Sequence, residues 1–196
     1  MYLNILLIII VFWLPSLSAN AMTEPLLEKT DSKIEKKTLL QVDETVDKAQ
    51  VKFIQIKVVK LTDNSGLTYI GGKVSAADLA PYLSQMKQIL GDDFALFRQN
   101  QSARDHHTFH LTLINPYEYQ TLTKDVDIGA SFSVSLHGLA RVSVDDKSTY
   151  FVVAHSLQAK SYRQSLVLNN KDFHVTLGFN PSDIYGVSKG IDSLIK

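Results

Sequence analysis

The sequence predicts an α+β domain in which strands and helices alternate in two similar halves. Segments of alternating apolar and polar residues, rich in β-branched types, recur between residues 51 and 179 and indicate half-buried strands. Stretches with apolar residues at helical spacing separate them. One five-residue pattern also occurs twice, at residues 109–113 and 173–177. We therefore expect a sheet built from two related lobes.

A predicted β-hairpin opens the folded part of the chain. The sequence VKFIQIKVVKL, which begins at Val51, alternates apolar with polar residues and predicts a strand. Residues 62–66 (TDNSG) predict a turn, because Asn and Gly tolerate positive φ. A second strand at roughly residues 67–74 pairs with the first across that turn.

A helix is expected after the hairpin. Ser75 is its predicted N-cap, and Gly91 ends a segment in which apolar residues recur at helical spacing. Pro81 lies inside this span and favours a regular helix that begins only near Ala80. A polar stretch without an assigned element leads to a third strand at residues 108–114.

The second half repeats this order. Strands are predicted at residues 132–144 and 149–155, a helix at 156–168 and a last strand at 173–179. The segment 117–126 that precedes them is helical or irregular, and its pattern does not decide which. Strand, strand, helix, strand is therefore the expected order in both lobes.

Composition limits the classes of function. The chain has 196 residues, 45% of them hydrophobic, which is enough to bury one core. Twenty basic residues balance twenty acidic ones, so the chain lacks the strongly positive field that attracts long nucleic acids. The absence of cysteine excludes disulfides and thiolate metal sites. We expect a substrate that is small, or that is held by its end.

The first residues indicate export. An apolar run at residues 3–17 is followed by small residues at the −3 and −1 positions of a cleavage site after Ala21, which predicts a signal peptide over residues 1–21. An uncleaved N-terminal membrane anchor is the alternative. Residues 22–50 are polar and predict a tether, and residues 51–196 form the expected domain. After cleavage we expect a secreted or periplasmic protein without a membrane span.

The repeated pattern carries the candidate chemistry. Each copy reads aromatic, His, aliphatic, Thr, Leu: FHLTL at 109–113 and FHVTL at 173–177. Side chains two positions apart on a strand share a face, so His110 and Thr112 point to one side, as do His174 and Thr176. If the two strands are neighbours, two imidazoles and two hydroxyls face one cleft.

This set of side chains suits phosphodiester chemistry. An imidazole has an ordinary pKa of about 6.5, so one histidine can be a neutral base while the other is a protonated acid. Threonine hydroxyls can donate to the non-bridging phosphate oxygens. The predicted catalytic residues are His110, Thr112, His174 and Thr176, and the mechanism needs neither a metal nor another cofactor.

These motifs resemble those of the 2H (two-histidine) phosphoesterase superfamily, which includes cyclic phosphodiesterases and RNA ligase-like proteins. His110-Leu111-Thr112-Leu113 and the segment HVTLGF at 174–179 match its His-x-Thr/Ser-x signature. A predicted helix with Arg163 leads through a short loop into the second motif, which also fits the family. The resemblance covers residues 51–196. The gap between the motifs is shorter than in many relatives, which predicts a trimmed lobe.

The resemblance implies a bilobal fold with two pseudo-symmetric antiparallel-sheet lobes and outer helices around a central cleft. It also implies hydrolysis of 2′,3′-cyclic phosphates, cyclic ADP-ribose phosphates or 2′-5′-linked nucleotides, with related roles in RNA end processing. We expect a small nucleotide or RNA end as substrate, no protein partner and a monomer.

Other interpretations stay open at this point. The cleft could capture a nucleotide or phosphorylated ligand without turnover, or the chain could be a structural envelope protein that inherited the fold. The histidines could be polar residues of a sheet face. A zinc site could combine His106, His107 and His110 with His174, although the strand pattern at 109–114 argues against it. Four aromatic residues are candidates for stacking on a base, none of them assigned: Tyr69, Tyr117, Phe179 and Tyr185.

Overall fold

Residues 51–196 are described by the computed structural model. The predicted signal peptide and tether lie outside the described residues. The strands are β1 (Lys52–Thr62), β2 (Thr68–Val74), β3 (Phe109–Ile114), β4 (Ser131–Val144), β5 (Lys147–His155) and β6 (Phe173–Asn180). The helices are α1 (Ala76–Leu90), α2 (Phe94–Arg104), α3 (Pro116–Gln120) and α4 (Leu157–Ser165), with short 3₁₀ turns at Gly91–Asp93 and Ile191–Ser193.

Two halves of similar order build the sheet. The first lobe contributes β1, β2 and β3 with α1 and α2 before its last strand, and the second contributes β4, β5 and β6 with α4 before its last strand. The strand order β1-β2-β3-β6-β5-β4 closes into an antiparallel barrel, because β1 also pairs with β4. The two motif strands, β3 and β6, are neighbours. The predicted α+β class and 2H phosphoesterase-like fold are confirmed.

One face of the sheet is apolar and packs against helices. Alternate residues of all six strands join Leu79, Tyr82 and Met86 of α1 and Phe97 of α2 in a single buried cluster. Gly178 of β6 lets α1 and α2 approach closely, since a Cβ there would lie 2.5 Å from Met86 Cε. Burial of this face leaves the other face of β3 and β6 for polar side chains.

Each lobe carries an arginine on a helix that reaches the motif strand of the other lobe. Arg163 on α4 donates from Nη1 to the carbonyl of Leu113 at 2.7 Å. Arg98 on α2 donates from Nη1 to the carbonyl of Leu177. These two leucines are the last residues of the two motifs, so the same support holds both motif strands from opposite directions.

Helix α1 begins earlier than predicted. It starts at Ala76 and includes Pro81, whereas the proline favoured a start near Ala80. The Ser75 hydroxyl accepts from the Asp78 backbone N–H at 3.0 Å, which satisfies a free donor in the first turn. This cap and the burial of the apolar side of the helix outweigh the hydrogen bond that proline cannot make.

Helix α2 occupies a polar stretch that had no assigned element. Only Phe97 and Gln101 among its side chains are buried, so its sequence has too few apolar residues for a helical period to stand out. The undecided segment 117–126 begins with the last four residues of α3 and is irregular after Gln120, and Asn115 and Glu118 form a capping box at the start of this helix. Within residues 51–196 no helix has the length and apolar character needed to cross a membrane.

Candidate active site

The pairing of β3 with β6 brings the two motifs together. Leu111 and Val175 are opposite each other in an antiparallel ladder. Residues one step to either side are then also opposite each other, so each histidine faces the threonine of the other motif. The facing pairs are His110 with Thr176 and His174 with Thr112.

The apolar and polar residues of each motif lie on opposite faces of the sheet. Leu111, Leu113, Val175 and Leu177 are completely buried in the apolar cluster. His110, Thr112 and His174 are partly exposed, and Thr176 retains 7% of its surface. Two imidazoles and two hydroxyls therefore share one polar surface beside the central pair of strands.

Tyr69 of β2 contacts His110. Its hydroxyl oxygen lies 3.3 Å from Nε2 of the imidazole, and the ring centroids are 5.3 Å apart. Burial raises the pKa of Tyr69, so its hydroxyl keeps the proton at neutral pH. Nδ1 of His110 is buried and has no hydrogen-bond partner among residues 51–196. The Tyr69 hydroxyl is thus the group that orients this ring before a ligand binds.

Burial lowers the pKa of His110, and the Asp105 carboxylate opposes this effect. The imidazole is therefore neutral at pH 7 in the free protein, yet an added negative charge near it would favour protonation. A bound phosphodiester supplies such a charge. The site can accordingly hold a proton on His110 when substrate is present.

His174 lies in a different environment. Its ring packs edge-on against Phe151 of β5 with centroids 5.5 Å apart. Burial, followed by the ammonium of Lys189, lowers the pKa of His174 to about 3. This histidine is neutral over the whole physiological range and therefore does not carry the proton that a general acid must supply.

Four charged residues, three of them buried, form a network beside the histidines. Lys189 Nζ lies 2.9 Å from Asp183 Oδ1, and Arg104 pairs with both Asp183 and Asp105. Burial opposes ionisation of Asp183, but Lys189 and Arg104 hold its pKa below the usual range. The Thr149 hydroxyl also donates to Asp183, at 2.9 Å. The Asp183 carboxylate therefore stays ionised and fixed in position.

A family model matches this chain. The Swiss Army Knife 2H phosphoesterase domain aligns with residues 68–185, more than half of the sequence, and the aligned segment contains both motifs. The chain belongs to the 2H phosphoesterase superfamily. No curated protein and no solved structure matches it. Membership identifies this 2H phosphoesterase as a hydrolase of phosphoester bonds.

The match leaves two pieces of this 2H phosphoesterase outside its range. Strand β1, which closes the barrel between β2 and β4, precedes residue 68. Residues 186–196 follow the match, and they include Lys189. Part of the environment of the second motif thus comes from sequence that the family model does not cover.

The four histidines of the alternative zinc site, His106, His107, His110 and His174, do not form a metal-binding cluster in the described part of the chain. His106 and His107 form the turn after α2, both with positive φ (50° and 59°), and His107 Nδ1 lies 2.6 Å from the Ser102 hydroxyl. In the described part of the chain, no cluster of three or more His, Cys, Asp or Glu side chains is arranged to hold a metal ion. His110 joins the second motif and not its two sequence neighbours.

The remaining histidines form a separate pair. His137 and His155 lie on β4 and β5 with ring centroids 6.2 Å apart. The Ser135 hydroxyl is 2.9 Å from Nε2 of His137. Their sequence surroundings contain no repeated pattern, and their contact depends on strand register alone.

Three side chains at the site were not assigned from sequence. Tyr69 was only a candidate for base stacking, and nothing in the spacing pointed to Phe151 or Lys189. Tyr69 and Phe151 each contact a motif histidine, and Lys189 contacts the Phe151 ring, so only the tertiary register brings these side chains together. Arg163, part of the sequence resemblance, is 1% exposed and supports the strand from the apolar side.

Proposed function

We propose that this 2H phosphoesterase hydrolyses a 2′,3′-cyclic phosphate, or a related nucleotide or RNA-end phosphodiester, by two-histidine acid–base catalysis without a metal. One observation carries the proposal: the Leu111–Val175 register sets both histidines and both threonines on one polar surface of a phosphoesterase fold. We assign catalytic roles to His110 and His174, with Thr112 and Thr176 as donors to the phosphate.

The reaction follows from the chemistry of these groups. A neutral imidazole takes a proton from water as its oxygen attacks phosphorus, and an imidazolium gives a proton to the departing ribose oxygen. The bond from water oxygen to phosphorus forms while the bond from phosphorus to ribose oxygen breaks, which leaves a phosphate monoester and a free hydroxyl. The threonine hydroxyls hold the charge on the non-bridging oxygens.

The test is incubation of the full-length protein with 2′,3′-cyclic AMP in EDTA, together with the His110→Ala and His174→Ala variants. We expect adenosine monophosphate from the wild type, and a loss of about 10² to 10⁴-fold in kcat for each variant. Circular dichroism of all three proteins checks that the fold survives. Turnover that persists in either folded variant contradicts the mechanism.

The second candidate is an exported module that binds nucleotides or phosphoesters without turnover. It is favoured by the lowered pKa of both histidines, since in the free protein neither carries the proton that an acid needs. Calorimetric titration with adenosine 2′-monophosphate separates the two functions. Binding without any product from the cyclic substrate supports the module.

We also propose that the protein is exported and acts as a monomer on a small substrate. The apolar leader and the cleavage pattern before Met22 support export. Mass spectrometry of the protein recovered from a secreting host gives a chain that begins at Met22 under this proposal. Recovery in the membrane fraction with the leader intact supports the anchor instead.

A further inference from the structure

The chain after β6 brings a lysine back to the second motif. Lys189 is 5% exposed, and its Nζ donates to Asp183 Oδ1 at 2.9 Å. Asp183 is itself fixed by the Thr149 hydroxyl and by the backbone N–H of Ile184, at 2.9 and 2.8 Å. The ammonium is therefore held at one place and does not sample solvent as a surface lysine does.

One aromatic ring connects this ammonium with the catalytic face. Lys189 Nζ lies 5.8 Å from the centre of the Phe151 ring, and the same ring packs against His174 with centroids 5.5 Å apart. Phe151 is completely buried. The ring excludes water from one side of both groups, which reduces solvent screening of the ammonium, while the paired carboxylate of Asp183 offsets part of its charge.

The charges that face the two histidines differ. The charged residues that affect the pKa of His174 are, from the largest effect to the smallest, Lys189, Asp183, Lys171 and Arg104. The first of these is a cation. For the pKa of His110 the corresponding order is Asp105, Arg104 and Asp183, and the first is a carboxylate. The two imidazoles thus share a surface, but the charge with the largest effect is positive for His174 and negative for His110.

We infer that Lys189 is a positioning residue that makes the two histidines unequal: its ammonium, held beside the Phe151 ring that packs on His174, disfavours a proton on His174, so that His110 carries the proton for the departing ribose oxygen. The inference rests on the proposed function and deepens it. His174 takes the proton from the attacking water, and His110 gives its proton to the departing ribose oxygen. Exchange of both protons with solvent restores the starting state after product leaves.

This assignment has a source outside the matched family domain. The family model ends at residue 185, four residues before Lys189. The repeated motifs alone are symmetric and give no reason for one histidine to be the base. The segment after the match supplies the cation of this asymmetry, and Asp105, inside the match, supplies the carboxylate.

The first test is a histidine NMR titration of the wild-type full-length protein, with signals assigned through His110→Gln and His174→Gln variants. We expect His110 to take up its proton at a higher pH than His174. The reverse order overturns the inference. This measurement needs neither a substituted lysine nor turnover, so the reverse order overturns the inference even where the protein shows no phosphodiesterase activity.

The second test replaces the ammonium. Lys189→Gln keeps a donor for Asp183 and removes the charge, Lys189→Arg keeps the charge, and Lys147→Met removes an exposed lysine from the start of β5 as a control. We expect Lys189→Gln to raise the titration midpoint of His174 by about one pH unit, as a unit charge acting through protein should. We expect Lys189→Arg and Lys147→Met to leave it unchanged.

Activity gives a separate readout where the cyclic substrate is hydrolysed. In Lys189→Gln, kcat/KM should decline from a higher pH on the acid side of its profile, because the base becomes protonated there, while the alkaline side should not move. A uniform fall at every pH, with the His174 midpoint unchanged, assigns Lys189 a structural role and overturns the inference. If Lys189→Gln does not fold, the reverse titration order in the wild type still overturns the inference.

Discussion

The strands β3 and β6 carry the same five-residue pattern and receive the same support, yet their histidines lie in different surroundings. An arginine from the opposite lobe binds the carboxyl-terminal leucine of each motif. His110 then contacts the hydroxyl of Tyr69, whereas His174 contacts the ring of Phe151. The repeated sequence provides matching geometry, and the rest of the chain makes the two halves chemically unequal.

The largest expected difference between the two halves is in how much stability each loses when its supporting arginine is replaced. Arg163 also forms an ion pair with Glu118 at 2.7 Å, while Arg98 stacks on Phe109 with 4.4 Å from Cζ to the ring centre. Arg163→Met removes the arginine partner of the half-buried Glu118 carboxylate and of the carbonyls of Leu113 and Asn169, and should lower the free energy of unfolding by about 3 kcal/mol. Arg98→Met leaves no carboxylate without its ion-pair partner and should lower the free energy of unfolding by about 1 to 2 kcal/mol.

Urea denaturation of the two variants and the wild type measures these values. Arg163→Lys serves as the control that keeps the charge but not the forked geometry, and it should fall between wild type and Arg163→Met. An equal loss in Arg163→Met and Arg98→Met contradicts the distinction between the two supports.

The threonines provide a comparison within the reaction. Thr176→Val and Thr112→Val each remove a hydroxyl at nearly constant volume and should lower kcat by about 10²-fold, the effect of a lost donor to a developing oxyanion. Serine in either place keeps the hydroxyl and should retain most turnover. Steady-state kinetics on 2′,3′-cyclic AMP tests both pairs, and a valine variant as active as its serine counterpart removes that threonine from the mechanism.

A smaller effect is expected on stability in acid. The pKa of His174 is about 3 in the folded protein and close to 6.5 in the unfolded chain. Between these values the unfolded chain binds more protons, so the free energy of unfolding declines as pH falls from 6.5 toward 3. This one group contributes a slope of up to about 1.4 kcal/mol per pH unit.

His174→Asn should therefore flatten the dependence of stability on pH between 6 and 4. His110→Asn should flatten it less, because Asp105 opposes the lowering of the His110 pKa. Thermal melts at several pH values measure the slopes. Equal flattening in the two variants indicates that their surroundings do not differ electrostatically.

Local pattern was enough to predict the strands and the motif faces. Strands β1 to β6 follow from the alternation of apolar and polar residues and from the turn residues between them. The repeated motif predicts which side chains share a face. Helix α2 could not be predicted, because its partners are on β6 and its own sequence is mostly polar. The chain closes into a barrel because β1 pairs with β4, a contact between distant segments that no local pattern specifies.

The same limit applies to the site. His110, Thr112, His174 and Thr176 could be selected because they repeat. Lys189 could not, since its contact with Phe151 and its ion pair with Asp183 depend on the path of the chain after β6. A buried lysine in a segment without regular structure leaves no periodic trace in sequence.

The central claim, that the two histidines form one catalytic unit across β3 and β6, is tested most directly by comparing kcat on 2′,3′-cyclic AMP for His110→Ala, His174→Ala and the double variant. Substitutions within one catalytic unit do not have additive effects on the activation free energy. The kcat of the double variant should therefore lie within about threefold of the kcat of the slower single variant. Losses that multiply, or a single variant that retains wild-type turnover, would contradict the account.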